Sequence, residues 1–169
     1  MDIEQIVHLL GLKPLPQEGG LYAETYHSTE VIPTEALPAR YPRADKPCST
    51  AIYYLLTTDP PTFSALHRLP TDEIYHFYLG DSLEMTLLYP DGTIRQVILG
   101  HDLLVGQQVQ FVVPAGVWQG SRVASGGKYA LVGTTMAPGY TSDDYEHGDR
   151  ENLLAQYPSA REQILSLTT

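Results

Sequence analysis

The chain has 169 residues, a formal net charge of −10 and 43% hydrophobic content, the composition of a globular protein rather than a disordered one. So acidic a surface repels the nucleic-acid backbone and anionic lipid, so neither is expected as a partner. No apolar run approaches the ~20 residues of a membrane span, and the length suits a single domain over residues 1–169.

MDIEQIVHLL carries two acids and no basic leader, so it does not read as a signal peptide. The single cysteine, Cys48, permits no internal disulfide and has no histidine beside it. It reads as a packed strand cysteine in a cytoplasmic protein. Asp2 with Gln5 three residues on predicts a capped helix whose stripe is Ile3, Ile6, Val7 and Leu10, stopped by Gly11. LKPLPQEGG reads as a loop, and Leu21 to Ser28 as a strand. The proline-rich run 31–47 predicts a surface excursion whose Arg40, Arg43 and Lys46 are solvated, with a lid over an anionic ligand as the lesser alternative.

Short strands then follow at even spacing: 51–57, 62–69, 73–79, 82–88, 93–99, 107–113, 118–124 and 128–136. Tyr89-Pro90-Asp91-Gly92 marks a hairpin turn, and Ser125-Gly126-Gly127 predicts another between the last two strands. The acidic run Asp143, Asp144, Glu146, Asp149 reads as a solvated turn. Two short helices, 151–157 and 159–167, close the chain, the second capped by Ser159 with Glu162 in the box position. Strands without intervening helices predict an all-β sandwich or barrel.

The chemistry concentrates in Phe63 to Gly80, FSALHRLPTDEIYHFYLG. At period two, Phe63, Ala65, His67 and Leu69 share one face, as do Glu73, Tyr75 and Phe77 after the turn. If both faces meet in one cavity, His67 and Glu73 form an acid–base pair or half of a metal site. His76, three residues beyond Glu73, falls on the opposite face of a regular strand and could join only through a bulge. His27, His101 and His147 belong to no constellation.

This stretch resembles the first motif of the cupin superfamily, G-x5-H-x-H-x3,4-E-x6-G, with His67 at the first histidine, Glu73 at the acid and Gly80 at the close. Gly106 through Gln119, with PAG at 114–116, resembles the second motif, G-x5-P-x-G-x2-H-x3-N. EGGLYAETY, VVPAGVWQG and LVGTTMAPGY extend the likeness to an uncharacterised single-domain (domain-of-unknown-function) branch of cupins. The resemblance implies a double-stranded β-helix, or jelly roll, with its core at about 50–136, short terminal helices and a homodimer. The departures bear on chemistry. Leu69 and Gln119 stand where the motifs have histidine, Val123 where they have asparagine and Pro61 where they have the leading glycine. The second Gly-to-Pro gap is seven rather than five.

Two remaining family ligands are too few for a usual divalent site, so no cofactor is favoured; a transition metal would call on His67, Glu73 and His76. Without metal, His67 serves as base, Glu73 orients it and Tyr75 returns a proton, resembling metal-free epimerases of the same fold. Phe63, Phe77, Trp118 and Gln119 are the candidate ligand contacts, although packing is the ordinary role of a lone Trp. The expected function is binding of a small polar metabolite, with isomerase, epimerase or lyase chemistry on a sugar-type or carbonyl compound. A metal-dependent oxygenase or isomerase and a non-catalytic sensor are the alternatives.

Overall fold

Residues 2–168 are described by a computed structural model. Helix α1 (Ile3–Leu10) begins at Asp2, whose carboxylate accepts the Gln5 amide at 2.8 Å while the Gln5 side chain accepts the Asp2 amide. Strands β1 (Lys13–Pro14) and β2 (Leu21–His27) pair antiparallel, so the expected loop is the arm and turn of a hairpin. The proline-rich excursion is tied at its base by β3 (Val31–Ile32) and β4 (Lys46–Pro47).

The central strands are β5 (Thr50–Thr57), β6 (Ser64–Arg68), β7 (Glu73–Gly80), β8 (Leu83–Leu88), β9 (Ile94–Leu99), β10 (Gln110–Val113), β11 (Trp118–Val123) and β12 (Tyr129–Met136). They assemble, with β13 (Glu146–His147), into two sheets ordered β1-β2-β5-β12-β7-β10 and β13-β6-β11-β8-β9. This is the jelly roll, in open form. Among the described residues the sheets face one another without closing into a barrel, which corrects the barrel alternative. The second expected hairpin is corrected too: β11 pairs with β6 and β8, whereas β12 crosses to the other sheet and inserts between β5 and β7.

Burial follows this layering. Tyr54, Tyr75, Phe77, Met85, Leu87 and Phe111 belong to the cluster between the sheets. Ile6 of α1 packs with Leu55 and Leu131 on the outer side of the first sheet. Helices α2 (Arg150–Gln156) and α3 (Arg161–Ser166) bury Leu153 and Ile164 against Leu66, Leu88 and Trp118 on the outer side of the second. The expected Ser159 cap is absent: Ser159 lies in a 3-10 turn, and Ala160 leads into α3 without a side-chain cap.

Within the two charged segments read as solvated, Arg40, Arg43, Asp143, Glu146 and Asp149 are exposed, but Lys46 and Asp144 are not. Lys46 is buried and ion-paired with buried Asp144, with Thr141 Oγ1 accepting from the same ammonium at 3.2 Å. Arg68 donates to both carboxylate oxygens of Glu146 at 2.6 and 2.7 Å. Together these contacts fix the 141–147 strap across the end of the sandwich. No helix among the described residues is long and apolar enough to cross a membrane.

Candidate functional site

One irregularity in β6 builds the site. Against β11, Gln119 pairs with His67 but Ser121 pairs with Ser64, so β6 carries one extra residue. The bulge defeats the period-two reading of this run. Ser64 and His67 both point between the sheets, while Leu66 turns outward into the helix-covered cluster, close against Gly120, where a Cβ would lie 3.2 Å from it. Phe63 goes with Leu66, packing in that outer cluster. Trp118 is there as well, with the Arg68 guanidinium 4.6 Å from its ring centroid. These two expected ligand contacts are therefore corrected to packing residues on the far side of the sheet.

The bulge also sets the imidazole. His67 Nδ1 lies 2.8 Å from the Ala65 carbonyl oxygen, which can only accept, so Nδ1 carries a proton and Nε2 is the ring nitrogen turned toward the site. Tyr145, from the strap, stacks on the ring at 5.2 Å between centroids. Nε2 faces Glu18 Oε2 at 3.9 Å.

Glu18 belongs to neither of the two sequence motifs. It sits in the β1–β2 turn, where its backbone carbonyl accepts the Ala65 amide at 2.8 Å and its Oε1 accepts the Ser64 hydroxyl at 2.8 Å. Gln17, Gly19 and Gly20 all have positive φ, and this unusual path brings the carboxylate inward. The adjacent glycine pair was the available signal, since it marks a turn of special geometry, but nothing local says what that turn docks against.

From the opposing sheet come Glu73, Tyr75 and Phe77, all inward as the alternation of β7 predicts. Glu73 accepts a hydrogen bond from Gln119 Nε2 at 2.6 Å. Burial pushes its carboxyl above the ordinary range; His67 opposes the shift and Glu18 reinforces it. Tyr75 is fully buried behind Glu73 and its phenol is raised well above the usual value by desolvation first, then by the Glu73 charge. It touches Glu73 rather than open space. Phe77 lies deeper in the core, its ring edge-on to His101 at 4.9 Å.

His76 points outward, where Gln110 Nε2 approaches its Nδ1 at 3.1 Å, so it does not join His67 and Glu73. The family ligand set fails in kind as well: Leu69 and Gln119 occupy the two positions, and the Gln119 amide turns its N–H, a donor, toward Glu73. Among the described residues no group of three His, Cys, Asp or Glu is placed to hold a metal ion. This donor set does not fit a resident transition metal.

Beside the cluster is a cavity of about 160 Å³, whose polar wall includes Glu18, Glu73, Thr134, Tyr22 and Tyr140. It is smaller than the ~300–1,000 Å³ of drug-sized sites. His67 stands behind this wall, buried to 2%, and meets the cavity through Glu18 and Glu73. Burial and the nearby Glu18 push the Tyr140 phenol up to about 12, so it is a hydrogen-bond donor at neutral pH. The Gln119 Oε1 atom is buried with no partner.

The raised Glu73 carboxyl fixes a sign. The folded state holds this proton more tightly than the unfolded chain, so stability from this group is present at low pH. It is lost as pH rises from the ordinary carboxylate range through the raised value. Glu73→Gln is expected to remove that loss, so that its stability relative to wild type improves as pH goes from about 4 to 8. Urea titrations at a series of pH values check this; a parallel pH dependence in the two proteins would contradict it.

Two facing antiparallel sheets in jelly-roll order, with one polar end carrying His and Glu from successive strands, define a cupin. The chain belongs to that family: residues 4–148 match the group described as Cupin superfamily (DUF985). Among its relatives, the uncharacterized protein YML079W of Saccharomyces cerevisiae is 29% identical over 136 residues, covering 76% of this chain and 67% of that protein. Protein SO0799 from Shewanella oneidensis superposes with a TM-score of 0.86 at 32% identity over 100% of this chain and 98% of that one. A hypothetical protein from Leishmania major gives 0.87 at 28% identity, over 99% of each chain. Oxalate decarboxylase from Bacillus subtilis shares the fold alone, with a TM-score of 0.53 and 14% identity over 92% of this chain and 37% of that one.

Proposed function

We propose that this cupin binds a small polar metabolite in the cavity walled by Glu18 and Glu73 and carries out metal-independent proton transfer on it, of isomerase, epimerase or lyase type. The observation that carries the reading is the orientation of His67, whose Nδ1–H is held by the Ala65 carbonyl and whose Nε2 faces Glu18 at 3.9 Å. In this scheme a wall carboxylate removes the proton from carbon next to a carbonyl and the electron pair moves to the carbonyl oxygen. His67 takes up the proton from the wall; its return to the former carbonyl carbon, as the neighbouring hydroxyl proton passes to the enolate oxygen, completes the isomerisation. Tyr75 supports Glu73 from behind, and Gln119 orients it.

Incubating the protein with a panel of aldoses and ketoses in D₂O, followed by NMR loss of the α-proton signal, tests this directly. Exchange by wild type that falls by about 10²-fold or more in His67→Gln is the expected result. Exchange that persists in His67→Gln would overturn the role of His67, and binding without exchange in any sugar would make the site a sensor. The reading includes a homodimer in a cytoplasmic setting; light scattering on the purified chain checks the first.

A further inference from the structure

The cavity wall carries an imbalance of charge. Glu18, Glu24 and Glu73 line it, and no lysine or arginine among the described residues does. Glu24, at the rim, has His27 Nδ1 at 3.2 Å, but Glu18 and Glu73 have only the His67 imidazole between them. Hydrogen bonds from Ser64 and Gln119 satisfy one oxygen of each carboxylate and supply no countercharge. Tyr22, whose ring has the Lys13 ammonium 5.2 Å from its centroid, and Tyr140 also line this space, with apolar Ile52 and Met136 among the rest of the wall. Gln119, which donates to Glu73, is not part of this lining. Carboxylates are acceptors that carry charge, and a wall built on them suits a cation. An anionic metabolite would enter against the field of the cavity and of a chain whose formal net charge is −10.

We infer that the ligand of this site is a small organic ammonium compound, its charged nitrogen held between Glu18 and Glu73 and its carbon skeleton against Ile52 and Met136. The inference rests on the proposed small-metabolite site and narrows its substrate class to amines, such as amino alcohols and amino sugars. The Glu18 turn then has a reason to be inserted so firmly: it supplies the second carboxylate that a lone Glu73 would lack.

Three probes of matched shape separate charge from size: serinol (2-amino-1,3-propanediol, cationic), glycerol (neutral) and glycerate (anionic). Each is titrated into ¹⁵N-labelled protein and followed by amide shifts of β2, β7 and β12. Serinol is expected to bind at least about tenfold more tightly than glycerol, with glycerate weakest. The preference should shrink with added salt in wild type, and disappear in Glu18→Gln. The salt series keeps the test independent of whether that variant folds. Glycerol equal to serinol would overturn the ammonium assignment while leaving the metabolite site standing. No cavity shift from any probe would overturn both. Manganese or zinc that displaces serinol and broadens the same amides would show the favoured cation to be a metal, which also overturns it.

Discussion

Lys46→Ala is expected to destabilise the protein by about 3–5 kcal/mol, because it strands the Asp144 carboxylate in a site where both side chains are at most 1% exposed. The loss reaches beyond the pair. Asp144 also accepts the Thr141 amide at 2.8 Å, and the Lys46 ammonium lies 5.6 Å from the Tyr41 ring centroid, so the ion pair is the bolt between the proline-rich excursion and the strap. Tyr145, next along the strap, covers His67. Urea denaturation gives the energy. A second variant, Lys46→Met with Asp144→Leu, should recover most of it, since an apolar pair of similar volume leaves no buried charge. A loss under about 1 kcal/mol in Lys46→Ala would mean that the ion pair is in effect solvated.

Gly19→Ala is expected to cost about 2–4 kcal/mol and to disable the site in the same stroke. Its φ of +97° is one that residues with a Cβ avoid, and a methyl group there would run into the Phe63 carbonyl oxygen. The turn cannot back away without giving up the Tyr54 hydroxyl bond to the Gly19 carbonyl at 2.9 Å and the Glu18–Ala65 backbone bond. Glu18 would leave His67 with it. Gly92→Ala is the control: its φ is also positive, but nothing lies within 4 Å of the added carbon, so only the conformational cost should appear. Equal losses in the two variants, with Glu18-dependent properties intact in Gly19→Ala, would contradict this account.

The parts of the fold visible in the sequence were those decided locally. Asp2 and Gln5 cap α1 because both partners lie within one helical turn. The Tyr89–Gly92 turn sets β8 against β9 in unbroken register, Leu83 opposite Leu99 through Leu88 opposite Ile94. Ser125-Gly126-Gly127 looks equally local, yet a turn signal states only that the chain reverses, and here the reversal is from one sheet to the other. The site was half visible. Glu73, Tyr75 and Phe77 alternate as expected, whereas the β6 bulge redirected Phe63, and strand alternation put Trp118 opposite inward Gln119. Glu18 and the Lys46–Asp144 pair escaped because their partners are distant: the latter are separated by 98 positions and meet only after both sheets have formed.

The position of β12 governs how this molecule comes into being. Among the described residues it is the last long strand in chain order, yet it lies in the middle of its sheet, with β5 on one side and β7 on the other. Until residues 129–136 leave the ribosome, β5 and β7 have no common neighbour, and each presents an open row of amides and carbonyls. Glu73 and Thr134 meet across that seam, so the cavity wall does not exist on the growing chain. Completion must wait for those residues, on the millisecond-to-second scale of non-local β assembly. In that interval the unpaired edges are the molecule's point of exposure to neighbouring chains.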